Sequence, residues 1–155
     1  MNFNSQICTT REQSERLLSL GLKKETADCC HRNNSLDGKP YTTALFVGKH
    51  SSDIPAWSLH RLIEMMPMTL IEDRVYHERW DLNITPIWVI YRNQDTADDW
   101  IGECMGQGMY NNIIDCIKWQ IKEGYFNKEY LVDQDALEKR CKGVLEYLDY
   151  IRGEE

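Results

Sequence analysis

Cysteine and histidine are the side chains in this sequence whose types invite chemistry. Cys29-Cys30-His31 stands between Cys8 on one side and Cys104, Cys116 and Cys141 on the other, a set rich in the thiolate and imidazole donors that zinc prefers. No Cys-x-x-Cys pair is present, and Cys116 and Cys141 fall on the apolar faces of helical runs, so packed thiols and no metal are expected. His50, His60 and His77, with Asp53, could supply a general base because imidazole titrates near neutral pH. Their spacing, on a loop, a helix and a strand, forces no two of them together. Residues 102–108 carry three glycines ahead of a helical run and could cradle an anion on backbone N–H groups. The stretch has neither the Gly-Lys-Ser/Thr of a phosphate loop nor the glycine spacing of a dinucleotide fingerprint, so a β-bulge or turn is expected there. A small-enzyme alternative rests on Cys104 within residues 100–108, or on His50, and the sequence shows no base beside Cys104. No cofactor is implied.

Two binding chemistries remain to be weighed. Arg11 to Leu20 and Lys24 to Cys30, separated by Gly21, have the outline of a helix-turn-helix, which would give a weak DNA contact. Glu25 and Asp28 stand where a recognition helix presents donors, and nucleic acid is disfavoured. The five Trp and eight Tyr residues exceed what one face of a small sheet needs to bury, and surplus aromatic surface serves recognition. Trp57, Trp80 and Trp100 are the candidates for a protein interface.

The elements that must position these residues follow from their periodicity. Thr10 and Gln13 have capping-box spacing at the head of a helix over residues 10–20, which Gly21 closes. A second short helix is expected over residues 24–30, then a loop over residues 33–40, where turn formers crowd together. Residues 41–47 read as a strand. Ser58 caps a helix with Leu59, Leu62, Ile63 and Met66 on one face, stopped by Pro67. The period then changes: residues 69–71 suit a short strand, residues 76–82 alternate, and residues 87–91 are all β-branched or aromatic. An edge strand is expected near residues 100–104. Ile113, Ile114, Cys116, Ile117 and Ile121 define a helix closed by Gly124, with Tyr125-Phe126 as the contact after the cap. A last helix over residues 135–151 carries Leu137, Cys141, Val144, Leu145, Leu148 and Ile151 on one stripe. Helices first, strands in the middle and helices last predict an α+β fold: a small, mostly antiparallel sheet of about four strands, packed by N-terminal, central and two C-terminal helices.

Length and charge bound the rest. A chain of 155 residues is the size of one globular domain, spanning residues 1–155. The net charge of -7 is uneven. Residues 1–50 hold seven basic and five acidic side chains, residues 51–100 four and nine, and residues 101–155 seven and eleven. Only the first third is basic, which argues against general nucleic-acid binding. No apolar run approaches the ~20 residues of a membrane span, and the polar start lacks the basic and apolar regions of an export signal. A cytoplasmic protein with reduced thiols is the expectation.

The stretches from Ile7 to Leu22, from Thr26 to Asp28 and from Asp53 to Leu59 resemble a family of small, uncharacterised proteins of gut-dwelling bacteria, often encoded in phage-derived or mobile regions. The strand at Trp88 to Tyr91 and the helix from Ile113 to Gly124 are also similar to that group. The resemblance implies a bacterial cytoplasmic accessory protein of prophage origin, and it brings no catalytic or binding residues. The sequence therefore points to a non-enzymatic interaction protein that meets an unidentified protein partner or a second copy of itself.

Overall fold

The computed structural model describes residues 6–33, 40–44, 53–72, 78–96 and 98–133. The expected helix at residues 135–151 lies outside them. Within them the fold is α+β, with helices α1 (Arg11–Ser19), α2 (Leu59–Met65) and α3 (Met109–Glu123) and two antiparallel sheets.

Thr10 starts α1 through a reciprocal cap: its Oγ1 accepts from Gln13 N at 3.2 Å, and Gln13 Oε1 accepts from Thr10 N at 3.0 Å. The capping-box reading holds. Gly21, at φ +92°, turns the chain out of the helix with a backbone that side-chain-bearing residues rarely adopt.

The expected second helix is replaced by one 3-10 turn, Lys24–Thr26, followed by strand β1 (Cys29–Asn33). Local side chains decide this. Thr26 Oγ1 donates to Lys23 O at 2.7 Å, Ala27 is extended, and Asp28 accepts from Ser58 N at 2.7 Å. Such bonds compete with a helical ladder. Strand β1 is the middle of a three-stranded sheet, between β2 (Pro40–Ala44) and β3 (Ile54–Ala56). Both prolines of this sheet sit on its outer strands, Pro40 at a strand start, where a missing N–H is tolerated.

Ser58 Oγ accepts from Arg61 N and caps α2 as expected. The second sheet is a meander of β4 (Thr69–Glu72), β5 (Glu78–Ile84), β6 (Trp88–Asn93) and β7 (Trp100–Met105), in that spatial order. The sequence predicts one antiparallel sheet of about four strands; this four-stranded sheet, with β7 on the edge, answers to it, while the strand expected from residue 41 belongs to the separate three-stranded sheet. Register fixes its faces, because directly paired residues share a side and successive residues alternate. Leu70, Trp80, Leu82, Val89, Tyr91 and Cys104 take the inner face. There α3 covers them with Ile113, Cys116, Ile117 and Gln120, all fully buried. Each such Ile or Val contributes roughly 1.5–3 kcal/mol on leaving water. Tyr91 carries its hydroxyl inside without penalty: it donates to Pro67 O at 2.6 Å and accepts from Gln120 Nε2 at 2.9 Å.

One extra residue interrupts β7. Val89 pairs with Cys104 and Tyr91 with Ile101, so three steps on β7 oppose two on β6. This is the β-bulge expected within residues 102–108. Gly102 makes it possible: at φ +66°, a Cβ there would stand 2.7 Å from Trp119 Cζ3.

Helix α3 ends at Gly124, φ +82°, with Tyr125 N and Phe126 N both bonded to Gln120 O and Phe126 buried. The chain then returns to α1. Lys23 N donates to Tyr130 O at 2.9 Å, Val132 N to Gly21 O at 2.8 Å, and Leu22 bridges Leu131. Arg16 meets Asp115 at 2.6 Å across the same seam.

Candidate functional site

The thiols and imidazoles singled out by type are dispersed. His50, His77 and Cys141 lie outside the described residues. His60 is exposed on α2 and pairs with Glu64 one turn on. His31 Nε2 is bonded to Thr9 O at 2.7 Å, and Asp53 takes both Arg32 nitrogens, at 2.8 and 2.5 Å. Cys8, Cys29 and Cys30 are buried in and beside the three-stranded sheet. Burial, with Asp28 and Cys8 adding to it, pushes the Cys29 thiol up to about 12, and burial pushes Cys30 up as well. At neutral pH both stay protonated and poor as nucleophiles or ligands. Among the described residues, no three His, Cys, Asp or Glu side chains stand close enough to hold a metal ion.

Cys104 differs in kind. It sits on the inner face of β7, partly accessible, and the buried thiol of Cys116 on α3 donates a hydrogen bond to it, which draws Cys104 below its ordinary value. Cys116 in turn is pushed up, first by that bond and then by burial. The pair is a thiol contact between strand and helix. The group that lowers Cys104 is another thiol, not an imidazole that could shuttle a proton.

The helix-turn-helix outline loses its second member, because residues 29–33 are strand and not recognition helix.

The three tryptophans part company. Trp57 is wholly buried, its Nε1 donating to Thr26 Oγ1 at 2.9 Å and its backbone N to Thr9 Oγ1 at 3.0 Å. Trp80 is 7 % exposed, on the inner face between Leu70 and Asn93. Neither presents the surface expected of an interface residue, since both are consumed by the core. Trp100, by contrast, is 48 % exposed.

Trp100 belongs to a continuous surface. It pairs with Arg92 across β6 and β7, and Met105 pairs with Trp88. By alternation Trp88, Ile90 and Arg92 share that outer face. Trp88, Ile90, Arg92, Trp100 and Glu103 line a shallow hollow of about 90 Å³. Ile90 in its lining is 5 % exposed, and Met105, 54 % exposed, stands across from Trp88 on the same face. Ile87, exposed in the turn before β6, is tied to the end of β7 by Gly106 N on Ile87 O. The other half of the face is mixed: exposed Ile71 pairs with Arg79, and Asp81 accepts from Thr69 Oγ1 at 2.8 Å, from Gln94 Nε2, and lies 3.5 Å from Arg79 Nε. Arg92 and Glu103 make no hydrogen bond or ion pair among the described residues, although both are exposed beside the hollow.

Sequence reasoning found Trp100 and missed its companions. The signal was there in Trp88-x-Ile90-x-Arg92, which alternates against the inward Val89 and Tyr91. The bulge that turns Glu103 to the same side as Trp100 and Met105 was not readable, because it shifts the alternation by one residue.

No protein family matches the chain, and no curated protein or solved structure matches it either. Among the described residues no helix is long and apolar enough to cross a membrane.

Proposed function

We propose that this chain is a non-enzymatic interaction protein, an accessory factor of the bacterial, phage-associated kind that it resembles, and that it works through the outer face of β6 and β7. One observation carries the reading. Trp88, Trp100 and Met105 stand on the same outer face of β6 and β7, with Trp100 and Met105 among the exposed side chains, whereas isolated surface apolar groups need no explanation. A large aromatic ringed by polar groups is the composition of a binding hot spot. The thiols and imidazoles among the described residues, in contrast, bring no three metal-binding side chains together.

A photo-crosslinking residue in place of Trp100 or Met105, expressed in a bacterial host, tests this. The expected result is a discrete protein adduct from both positions and none from Lys118, exposed on α3. Equal labelling from all three positions, or from none, overturns the proposal.

A further inference from the structure

We infer that the partner of this face is a second copy of the same chain, docked sheet face to sheet face so that Arg92 of each copy meets Glu103 of the other. The inference rests on the reading of this surface just proposed and names its occupant.

Charge selects the occupant. Four charged residues described on the outer face are Arg79, Asp81, Arg92 and Glu103, two of each sign. Arg79 and Asp81 already meet. Asp81 also stands directly across from Arg92 on the neighbouring strand, but the two form no ion pair, so Arg92 and Glu103 both line the hollow without an ion pair among the described residues. A face of zero net charge neither draws an acidic peptide or nucleic acid nor favours a basic one. It does complement itself. A two-fold axis is the commonest symmetry of self-association, and it requires that the same patch serve on both copies, residue i on residue j and j on i.

Geometry permits the exchange. Arg92 lies level with Trp100, and Glu103 lies further along β7, beyond the level of Ile101 and Tyr91 and towards the Trp88–Met105 pair. The two charges are therefore offset along the strands by roughly two residues, about 7 Å. Because the two also stand on neighbouring strands, an in-plane axis through their midpoint and at right angles to the line joining them, oblique to the strands, sets each charge over its opposite in the second copy. Packed sheets lie ~10 Å apart, a gap that facing Arg and Glu side chains span, while Trp88, Trp100 and Met105 close over Ile90. Edge-to-edge pairing along β7 is the poorer mode, because the bulge at Gly102 and Glu103 breaks its run of free backbone groups.

The handful of side chains named here falls short of the roughly 20–30 residues per side of a tight complex, so a reversible dimer in the micromolar range is expected. Sedimentation velocity of the full chain from about 5 to 500 µM, which brackets micromolar dissociation constants, reads it directly. Wild type should pass from monomer to dimer. Arg92→Glu alone and Glu103→Arg alone should each stay monomeric with unchanged circular dichroism. An equimolar mixture of the two variants should recover the dimer, since one then presents two carboxylates at these positions and the other two guanidinium groups. The double variant R92E/E103R should dimerise by itself. A wild type that is monomeric throughout overturns the inference, as do single reversals that still dimerise or a mixture that does not recover. If purified wild type is monomeric while crosslinks from position 100 capture a different protein, the self-association is wrong and the interaction surface stands.

Discussion

Replacing Gly102 with alanine is the sharpest single test of the bulge that organises the β7 edge. Two costs add at this position. The backbone sits at φ +66°, and holding an L-residue in that left-handed region costs about 1–2 kcal/mol. The new methyl would then stand 2.7 and 2.8 Å from two ring carbons of Trp119. That ring cannot withdraw freely, because it lies against Tyr91 and Tyr125 at centroid distances of 6.0 and 5.5 Å. Overpacking of this kind costs typically about 1–3 kcal/mol. The expected loss is therefore about 2–5 kcal/mol, a fall in the urea midpoint on the order of 1–3 M. Gly106→Ala is the control. Its φ of +91° carries the backbone cost, but nothing lies within 4 Å of the added carbon. Urea denaturation followed by tryptophan fluorescence and by circular dichroism should place G102A below G106A by about 1–3 kcal/mol, the steric share alone. Equal midpoints for the two variants would mean that Trp119 does not pack on Gly102, and the argument for an obligatory glycine at the bulge would fail.

Three further outcomes follow from the same structure. Trp57→Phe should cost roughly 1–3 kcal/mol, because it opens a cavity and strips Thr26 Oγ1 of its donor, whereas Trp100→Ala should change the urea midpoint by less than about 1 kcal/mol equivalent. Asp28→Ala, which frees Ser58 N and Ser58 Oγ together, should cost about 2–4 kcal/mol by the same assay. Cys29 gives a pH signature. Its thiol is pushed up from 9.0 to about 12, so the unfolded chain releases this proton near pH 9 and the folded chain keeps it. The stabilisation is therefore complete below pH 9 and is lost as pH rises from 9 towards 12, at about 1.4 kcal/mol per pH unit. Urea titrations at pH 8, 9 and 10 should show a shallower decline in Cys29→Ala than in wild type, and parallel curves would refute the assignment.

The sequence was legible where one physical signal dominated. Thr10 with Gln13, Ser58 before Leu59, and Gly124 before Tyr125-Phe126 are end signals that depend on neighbours within a few residues, and each holds in the structure. Residues 88–91 form a strand because their side chains suit nothing else. The misreadings lie where distant partners decide. Residues 24–30 have a helical composition, yet Asp28 finds Ser58, thirty positions away, and Cys29 to His31 find β3. Trp57 and Trp80 were set beside Trp100 as surface aromatics because an indole's side of a sheet cannot be read from its type. Pairing settles it: Trp80 shares a level with Leu70 and points inward, while Trp100 shares one with Arg92 and points out. The candidate surface was thus visible in one of its residues, and the rest needed the register.

The seam that α1 and the turn after it make with α3 and the residues beyond it bears on how the chain comes into being. Lys23 Nζ reaches Glu129 O across 106 positions, and Arg16 reaches Asp115 across 99. The side of α1 that buries Leu17 therefore has no cover of this kind while the ribosome is still making the interior of the sequence. At ordinary elongation rates of about 5–20 residues per second, that interval lasts roughly 5–20 s. Through it, the unfinished polypeptide leaves open the side of α1 where Gln13, Ser14 and Leu17 are buried in the finished fold, and the unfinished polypeptide, more than the completed one, is the form with something for a chaperone to hold.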